Sequence, residues 1–547
     1  MAIDKTNFVT LAKNHPKSNI QYSYGTAGFR MKSELLDPVF FRVGLIAALR
    51  SRKLGGKTIG VMVTASHNPA QDNGVKVVDP LGEMLEQSWE AYVTKLANIA
   101  DPDELLKYVE ELSTELSIDN STPAHVIIGR DTRPSGPKLI ESLVHGLQAV
   151  GSEYKDEGVL TTPQLHYIVR CLNTANTPKP YGEPTEAGYY SKLSGAFKTL
   201  LKGRNPPSPL TVDCANGVGA PKLKKLAEEI GIKYLQINIT NDDIDSQEKL
   251  NYQSGADYVK TTFKFPNQVQ PDVKARYCAL DGDADRVIYF YTDPTNHSLK
   301  LLDGDKISTL AAMFLIELVN AAGLGHLQVG VVQTAYANGS STAYLKDTLK
   351  VPVACAKTGV KHLHHEAESF DIGVYFEANG HGTVLFGPSA LSAIENHKTQ
   401  SPAQAEALAS LAAVLDLINQ AVGDALSDML LVEVILAHRN WSLSEWDTAY
   451  TDLPNRLAKV VVQDRNVFQT TDAERKLTHP AGLQEKIDQI VAKYNKGRSF
   501  VRPSGTEDVV RVYAEANTRQ ECDDLAIAIS KLVYTEAGGK GDLPTSF

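Results

Sequence analysis

LTVDCANGVGAPKLKKLAEEIG, Leu210–Gly231, reads as a β-branched strand, a glycine-bearing loop and a helical pattern in direct succession. The same succession recurs along the chain. TIGVMV (58–63) enters TASHNP, VIIG (126–129) enters RDTRPSG, RYCAL (276–280) enters DGDADR, and DIGVYF (371–376) enters EANGHG. Strands alternating with helical stretches predict α/β units built on largely parallel sheets. Loops at the carboxyl ends of such strands are where ligands usually bind.

TASHNP and DGDADR start 217 residues apart and DGDADR and EANGHG 96, as expected of consecutive α/β domains that each lend one loop to a shared site. The end of the chain differs. SFVRPSGTEDVVRVYAEA places strand-like runs on both sides of an RPSGTED turn, followed by a helical segment to about Glu536. The expected architecture is three consecutive mixed α/β domains plus a smaller C-terminal α+β domain around one central cleft. The expected boundaries are 1–178, 179–297, 298–440 and 441–547, with 173–188 and 440–454 as linkers. Segment 398–426, rich in Ala and Leu, reads as one helix.

The chain has 547 residues, a formal charge of −10 and 42 % apolar residues, an ordinary globular composition. An acidic whole argues against wrapping a nucleic-acid backbone but not against a small phosphorylated ligand, which needs only local cations. Five scattered cysteines without a CxxC pair suggest neither a disulfide framework nor a zinc ribbon. No apolar leader or spanning segment is visible. A cytoplasmic protein, with no nucleic-acid, membrane or obligate protein partner, is the resulting expectation.

Four loops carry chemistry. In Thr64-Ala65-Ser66-His67-Asn68-Pro69 the Asn-Pro turn ends the strand, so the Ser66 hydroxyl projects. No GxSxG elbow surrounds it, which weakens a serine-hydrolase reading. Asp281, Asp283 and Asp285 alternate in DGDADR; in an extended segment they share one side and repel unless a cation joins them. Hard oxygen ligands favour Mg²⁺ or Ca²⁺, and Arg286 and Thr292 stand where an EF-hand needs Gly and Glu. Arg502-Pro503-Ser504-Gly505-Thr506-Glu507, with Arg511, supplies hydroxyls, backbone N–H groups and two forked cations for an anion. Glu377-Ala378-Asn379-Gly380 suits vicinal hydroxyls. A cluster at His362, His364 and His365 lacks HExxH spacing and reads as a polar helix face.

In this order and spacing the loops, with Gly25-Thr26-Ala27-Gly28-Phe29-Arg30 before them, resemble the α-D-phosphohexomutase superfamily, from about residue 20 to about 535. The sugar loop EANGHG, with KTGVKHLHH upstream, is similar to the branch acting on N-acetylglucosamine phosphates. The resemblance implies that Ser66 carries a phosphoryl group and that Asp281, Asp283 and Asp285 hold Mg²⁺ with the Ser66 phosphate. It implies sugar contacts from Glu377, Ala378 and Asn379, and from Thr358 and Gly359 of the TG loop. Arg502, Pro503, Ser504, Gly505, Thr506 and Arg511 would clamp the non-reacting phosphate, and Lys76, Arg30 and His67 would serve the transfer. Val360 stands where some relatives have a histidine, so the resemblance assigns no acid/base residue at that position and leaves His362 and His364 as candidates.

The implied activity interconverts N-acetylglucosamine 6-phosphate and 1-phosphate on the route to UDP-N-acetylglucosamine. A hexose 1,6-bisphosphate is primer and intermediate, and it must turn end for end. Phosphoglucomutase or phosphomannomutase activity is the alternative within the class. A Mg²⁺-dependent sugar phosphatase and a silent sugar-phosphate-binding protein are the alternatives outside it.

Overall fold

The computed structural model describes residues 3–504, 508–543 and 545–546. Two compact units emerge. The first comprises 1–303, 379–383 and 408–443, and the second 304–378, 384–407 and 444–547.

The first unit holds two five-stranded sheets. One runs in the spatial order Phe29–Lys32, Asp72–Val78, Ile59–Val63, His125–Arg130, Glu153–Val159. The other runs Leu299–Leu302, Val287–Thr292, Arg276–Leu280, Leu210–Asp213, Ile237–Thr240. Both are mixed rather than largely parallel. Ile59–Val63 pairs parallel to His125–Arg130 but antiparallel to Asp72–Val78, and Arg276–Leu280 pairs antiparallel to Val287–Thr292. The reason lies in the connections. TASHNP and DGDADR are the bodies of short returns, whereas a parallel return needs a crossover of about a dozen residues or more. The two loops richest in function therefore sit at hairpin-like reversals.

The helix Asp37–Lys53 is buried along almost its whole length. It packs on Gly136–Ala149 through glycines, since a Cβ on Gly44 would meet the Leu143 carbonyl oxygen at 2.3 Å and one on Gly146 the Phe41 carbonyl oxygen at 1.9 Å. Backbones this close leave no room for any side chain at the crossing.

In the second unit, Val329–Thr334 pairs parallel with Val353–Ala356 and Ile372–Phe376, and the part of the strand Gly382–Phe386 from Val384 on completes that sheet. A three-stranded antiparallel sheet, Asn455–Val461, Val509–Glu515 and Arg498–Pro503, carries the C-terminal region. The helix Arg519–Glu536 packs on it through Leu525, Ala526, Ile529 and Val533. Expected α/β and α+β character is thus present throughout.

Three local readings change. Residues 281–286 form a turn, with Ala284 at φ 57°, rather than an extended segment. The stretch 398–426 is a helix only over Pro402–Leu417; a new one starts at Ala425, capped by Asp424, whose carboxylate accepts from the Leu426 and Ser427 amides. The boundary at 297 falls inside a hairpin, because Leu299–Leu302 still pairs with Val287–Thr292. We therefore place that boundary after Leu302.

Candidate active site

The strand Ile59–Val63 ends at Thr64, and two residues later Ser66 turns into the left-handed region at φ 50°. Its amide donates to Thr64 Oγ1 at 2.9 Å, and Thr64 Oγ1 donates to Asp131 at 2.7 Å. The buried Arg133 holds the rest of the loop. It donates to the carbonyls of Ser66 (2.9 Å), Asn68 (2.7 Å), Pro69 (2.6 Å) and Asp72 (2.9 Å), and through Nε to Asp131 (3.0 Å). Asn251 donates to the Ser66 and Asn68 carbonyls, both at 2.9 Å. A rigid frame so held fixes one direction for the Ser66 hydroxyl, which donates to Asp281 Oδ2 at 2.6 Å.

The three aspartates converge. One carboxylate oxygen from each of Asp281, Asp283 and Asp285 lies within 4.8 Å of the others, and all three residues are buried. The turn brings them together. Asp281 Oδ1 accepts from the Asp285 and Arg286 amides (3.0 and 3.2 Å), while Asp283 is anchored by Thr162, whose Oγ1 donates to it at 2.6 Å. Thr162 starts a helix capped by Thr161, so the positive end of that helix faces the acidic loop. Asp283 Oδ1 is buried without a hydrogen-bond partner, and Asp285 Oδ1 has only His381 Nδ1, at 3.3 Å, beside it. Buried carboxylate oxygens that point together fit a hard divalent cation. Burial and the adjoining Asp285 and Asp283 push Asp281 well above the usual carboxylate range. Asp285 goes well below it, because His381, Lys76 and Arg286 outweigh its burial.

Basic side chains ring the cluster. Lys76 Nζ lies 3.8 Å from Asp283 and 3.6 Å from Asp285, and His381 Nδ1 lies 3.3 Å from Asp285. Arg286 binds Asp257 through both carboxylate oxygens at 2.8 Å, with its Nε 3.8 Å from Asp281. Arg30 donates to the Asn68 side chain at 3.4 Å; burial and Arg286 lower its pKa. Burial, then Arg286, pushes His67 down to about 4, so it is neutral at pH 7, with Asp257 3.9 Å away.

The second unit carries the other group of expected residues. Arg502 and Arg511 stand directly opposite in the antiparallel register, so their side chains share one face. Both Nε atoms are buried without a hydrogen-bond partner, and the Arg502 guanidinium lies 5.8 Å from the Tyr336 ring centroid. Pro503 closes its strand, and the Ser504 amide donates to the Val509 carbonyl at 2.9 Å. Gly505 and Thr506 lie outside the described residues. In the TG loop, the Gly359 amide donates to Glu377 at 3.2 Å and the Thr358 amide to Glu474 at 3.0 Å. Gly359 has φ 120°, a conformation that excludes most side chains. The Ala378 carbonyl accepts from the Gly304 amide at 3.4 Å.

Asn379 and Gly380 group with the first unit. Asn379 Oδ1 accepts from the His381 amide at 3.0 Å, and Gly380, at φ 88°, accepts from Val287 at 3.2 Å. Sequence reasoning missed Arg133, Thr162, Asn251 and His381. RDTRPSG did stand out as a polar loop, and TTPQ (161–164) has the capping-box spacing. Asn251 leaves no such signal.

Family models match most of the chain. "Phosphoacetylglucosamine mutase AMG1, domain II" matches 181–288 and domain III matches 303–441. The phosphoglucomutase/phosphomannomutase α/β/α domain I matches 46–104 and 99–177, and the C-terminal domain of the same group matches 457–532. The phosphoacetylglucosamine mutase of Candida albicans is 51 % identical over 537 residues, covering 95 % of this chain and 98 % of the relative. That of Homo sapiens is 52 % identical over 540 residues, covering 97 % of each. This chain belongs to the phosphoacetylglucosamine mutase family. Among solved structures of the family, the Aspergillus fumigatus N-acetylphosphoglucosamine mutase in complex with GlcNAc-6P and magnesium superposes with a TM-score of 0.94. It is 54 % identical and covers 97 % of this chain and 99 % of its own. A structure of a serine-to-alanine variant of that enzyme holds glucose 1,6-bisphosphate, at TM-score 0.94 and 53 % identity, covering 98 % of this chain and 100 % of its own.

Proposed function

We propose that the chain interconverts N-acetylglucosamine 6-phosphate and N-acetylglucosamine 1-phosphate through a phosphorylated Ser66 and a hexose 1,6-bisphosphate. The observation that carries this reading is the Ser66 hydroxyl, aimed at 2.6 Å into three converged buried aspartates. Asp281, Asp283 and Asp285 would hold Mg²⁺, which when bound supplies charge neutralisation for the phosphoryl group.

Ser66 presents its oxygen along one direction because Arg133 and Asn251 both hold its carbonyl and Thr64 Oγ1 holds its amide. In-line phosphoryl transfer depends on such positioning more than on covalent chemistry from the protein. Lys76 and Arg30 contribute fixed positive charge beside the transferring group. His67, neutral near pH 7, serves as a hydrogen-bonding neighbour instead of a cation. Glu377 and Asn379 bind sugar hydroxyls. Arg502 and Arg511, with Ser504, grip the phosphate that is not reacting, first the 6-phosphate and then, after the intermediate has turned, the 1-phosphate.

The names of the relatives support N-acetylglucosamine phosphates as the substrates to test first. A coupled assay across the 1-phosphates of N-acetylglucosamine, glucose, mannose and galactose, primed with bisphosphate, tests the reading. The N-acetylated substrate should give the highest kcat/KM, and Ser66→Ala should abolish turnover with unfolding unchanged. Near-normal turnover by Ser66→Ala would sink the proposal. Steady release of inorganic phosphate in place of isomerisation would favour a phosphatase.

A further inference from the structure

The strands Gln469–Thr471 and Lys476–His479 are joined by a turn in which Asp472, Ala473 and Glu474 take φ values of 52°, 52° and 68°. Three consecutive residues with side chains in the left-handed region are uncommon. This turn delivers the Glu474 carboxylate to the face that Arg502 presents. Glu474 Oε2 accepts from Arg502 Nη1 at 3.1 Å and from the Thr358 amide at 3.0 Å, with its side chain only 18 % exposed.

An acid here is unexpected. Arg502 and Arg511 face the same way in register, the arrangement a dianionic phosphate demands. A carboxylate binds a guanidinium and a backbone N–H with the geometry that a phosphate edge uses. Glu474 therefore already occupies Arg502 Nη1, a donor that a phosphate on this clamp would take. A phosphate and this carboxylate cannot share Arg502 Nη1 without bringing two anions together. Glu474 does more than orient Arg502, since it also takes an amide of the TG loop.

We propose that Glu474 is a resident competitor of the phosphate clamp. It holds Arg502 and the Thr358 amide between phosphates and is displaced as a phosphate enters, so the clamp's grip is deliberately moderate. Resting on the mutase reading above, the benefit is specific. The bisphosphate must leave the clamp by one end and re-enter by the other, and an anion that reclaims Arg502 hastens the letting go. Glu474 acts through Arg502 and touches no reacting atom.

The test uses the full-length protein with Glu474→Gln, and with Glu474→Gly as a second variant because glycine accepts φ 68° without strain. Calorimetry measures binding of inorganic phosphate and of glucose 1,6-bisphosphate, and steady-state assays separate KM from kcat. Removing one competing charge-assisted contact should tighten phosphate binding about tenfold. KM for the sugar phosphate should fall with it, and kcat should fall several-fold as release of the intermediate slows. A residue that merely positions Arg502 would give the opposite, weaker phosphate binding and a higher KM. Unchanged or weakened phosphate binding in both variants overturns the proposal while the mutase reading stands. If the wild type isomerises no sugar phosphate yet the variants bind phosphate more tightly, the competitor stands and the mutase reading fails.

Discussion

Ser66 is the only residue of TASHNP in the left-handed region, a conformation that costs a side-chain-bearing residue about 1–2 kcal/mol. Arg133 holds it there, using every guanidinium N–H on four carbonyls and Asp131. Arg133→Lys keeps a charge but cannot span those acceptors, and buried Asp131 loses its contact with Nε. We expect kcat to fall at least tenfold; Arg133→Met should in addition cost about 3–5 kcal/mol of stability, since it leaves a buried charge unpaired. Denaturant unfolding beside turnover checks both. A second residue-scale expectation concerns pH. Burial pushes His166 down to about 4, with its Nδ1 2.6 Å from the Gly82 carbonyl. Its folded pKa lies below the unfolded value of about 6.5, so the unfolded chain takes up the proton first and stability drops as pH falls from about 6.5 towards 4. The loss is on the order of 3 kcal/mol. His166→Gln should flatten that part of a melting-temperature profile, and an unchanged slope would refute the assignment.

Some elements meet here through glycine, beside the apolar cores. Gly146→Ala adds helix propensity of about 1 kcal/mol, yet its methyl would collide with the Phe41 carbonyl, and overpacking costs about 1–3 kcal/mol or more. The clash wins, so a net loss of stability with unaltered kcat per folded molecule is expected. Gly380→Ala is the counterpart at the site. Its Cβ would lie 2.0 Å from the Val287 carbonyl oxygen, at a φ of 88° that alanine resists. It should lower melting temperature and activity together, because Val287 follows the metal loop directly. The strand–loop–helix units were readable from their residue patterns, since β-branched runs and glycine loops act locally. Sheet direction was not, because it depends on how short each return is. The helix expected over 398–426 broke because Asp424 can cap a new start, a choice made by burial and not by composition.

For the molecule as a whole, the cation is the linkage to test. Chelation should abolish turnover, and Mg²⁺ at a hundredfold excess over Kd should raise stability by about 2.7 kcal/mol if the unfolded chain binds none. Asp283→Asn should shrink that thermal shift. A shift equal in the variant and the wild type would remove Asp283 from the site. Among the described residues no helix is long and apolar enough to cross a membrane.

The sequence by itself determined which residues carry charge, hydroxyls and flexible backbone, and so named Ser66, the three aspartates and the two arginines. Their types and short spacings are chemical requirements that appear along the chain. Only the tertiary structure decided that Arg133 and Asn251 hold the serine loop, that Thr162 anchors Asp283 from 121 residues away, and that Glu474 lies on Arg502. Those partners are distant in sequence, and what selects them is the closure of sheets and turns that no local pattern encodes.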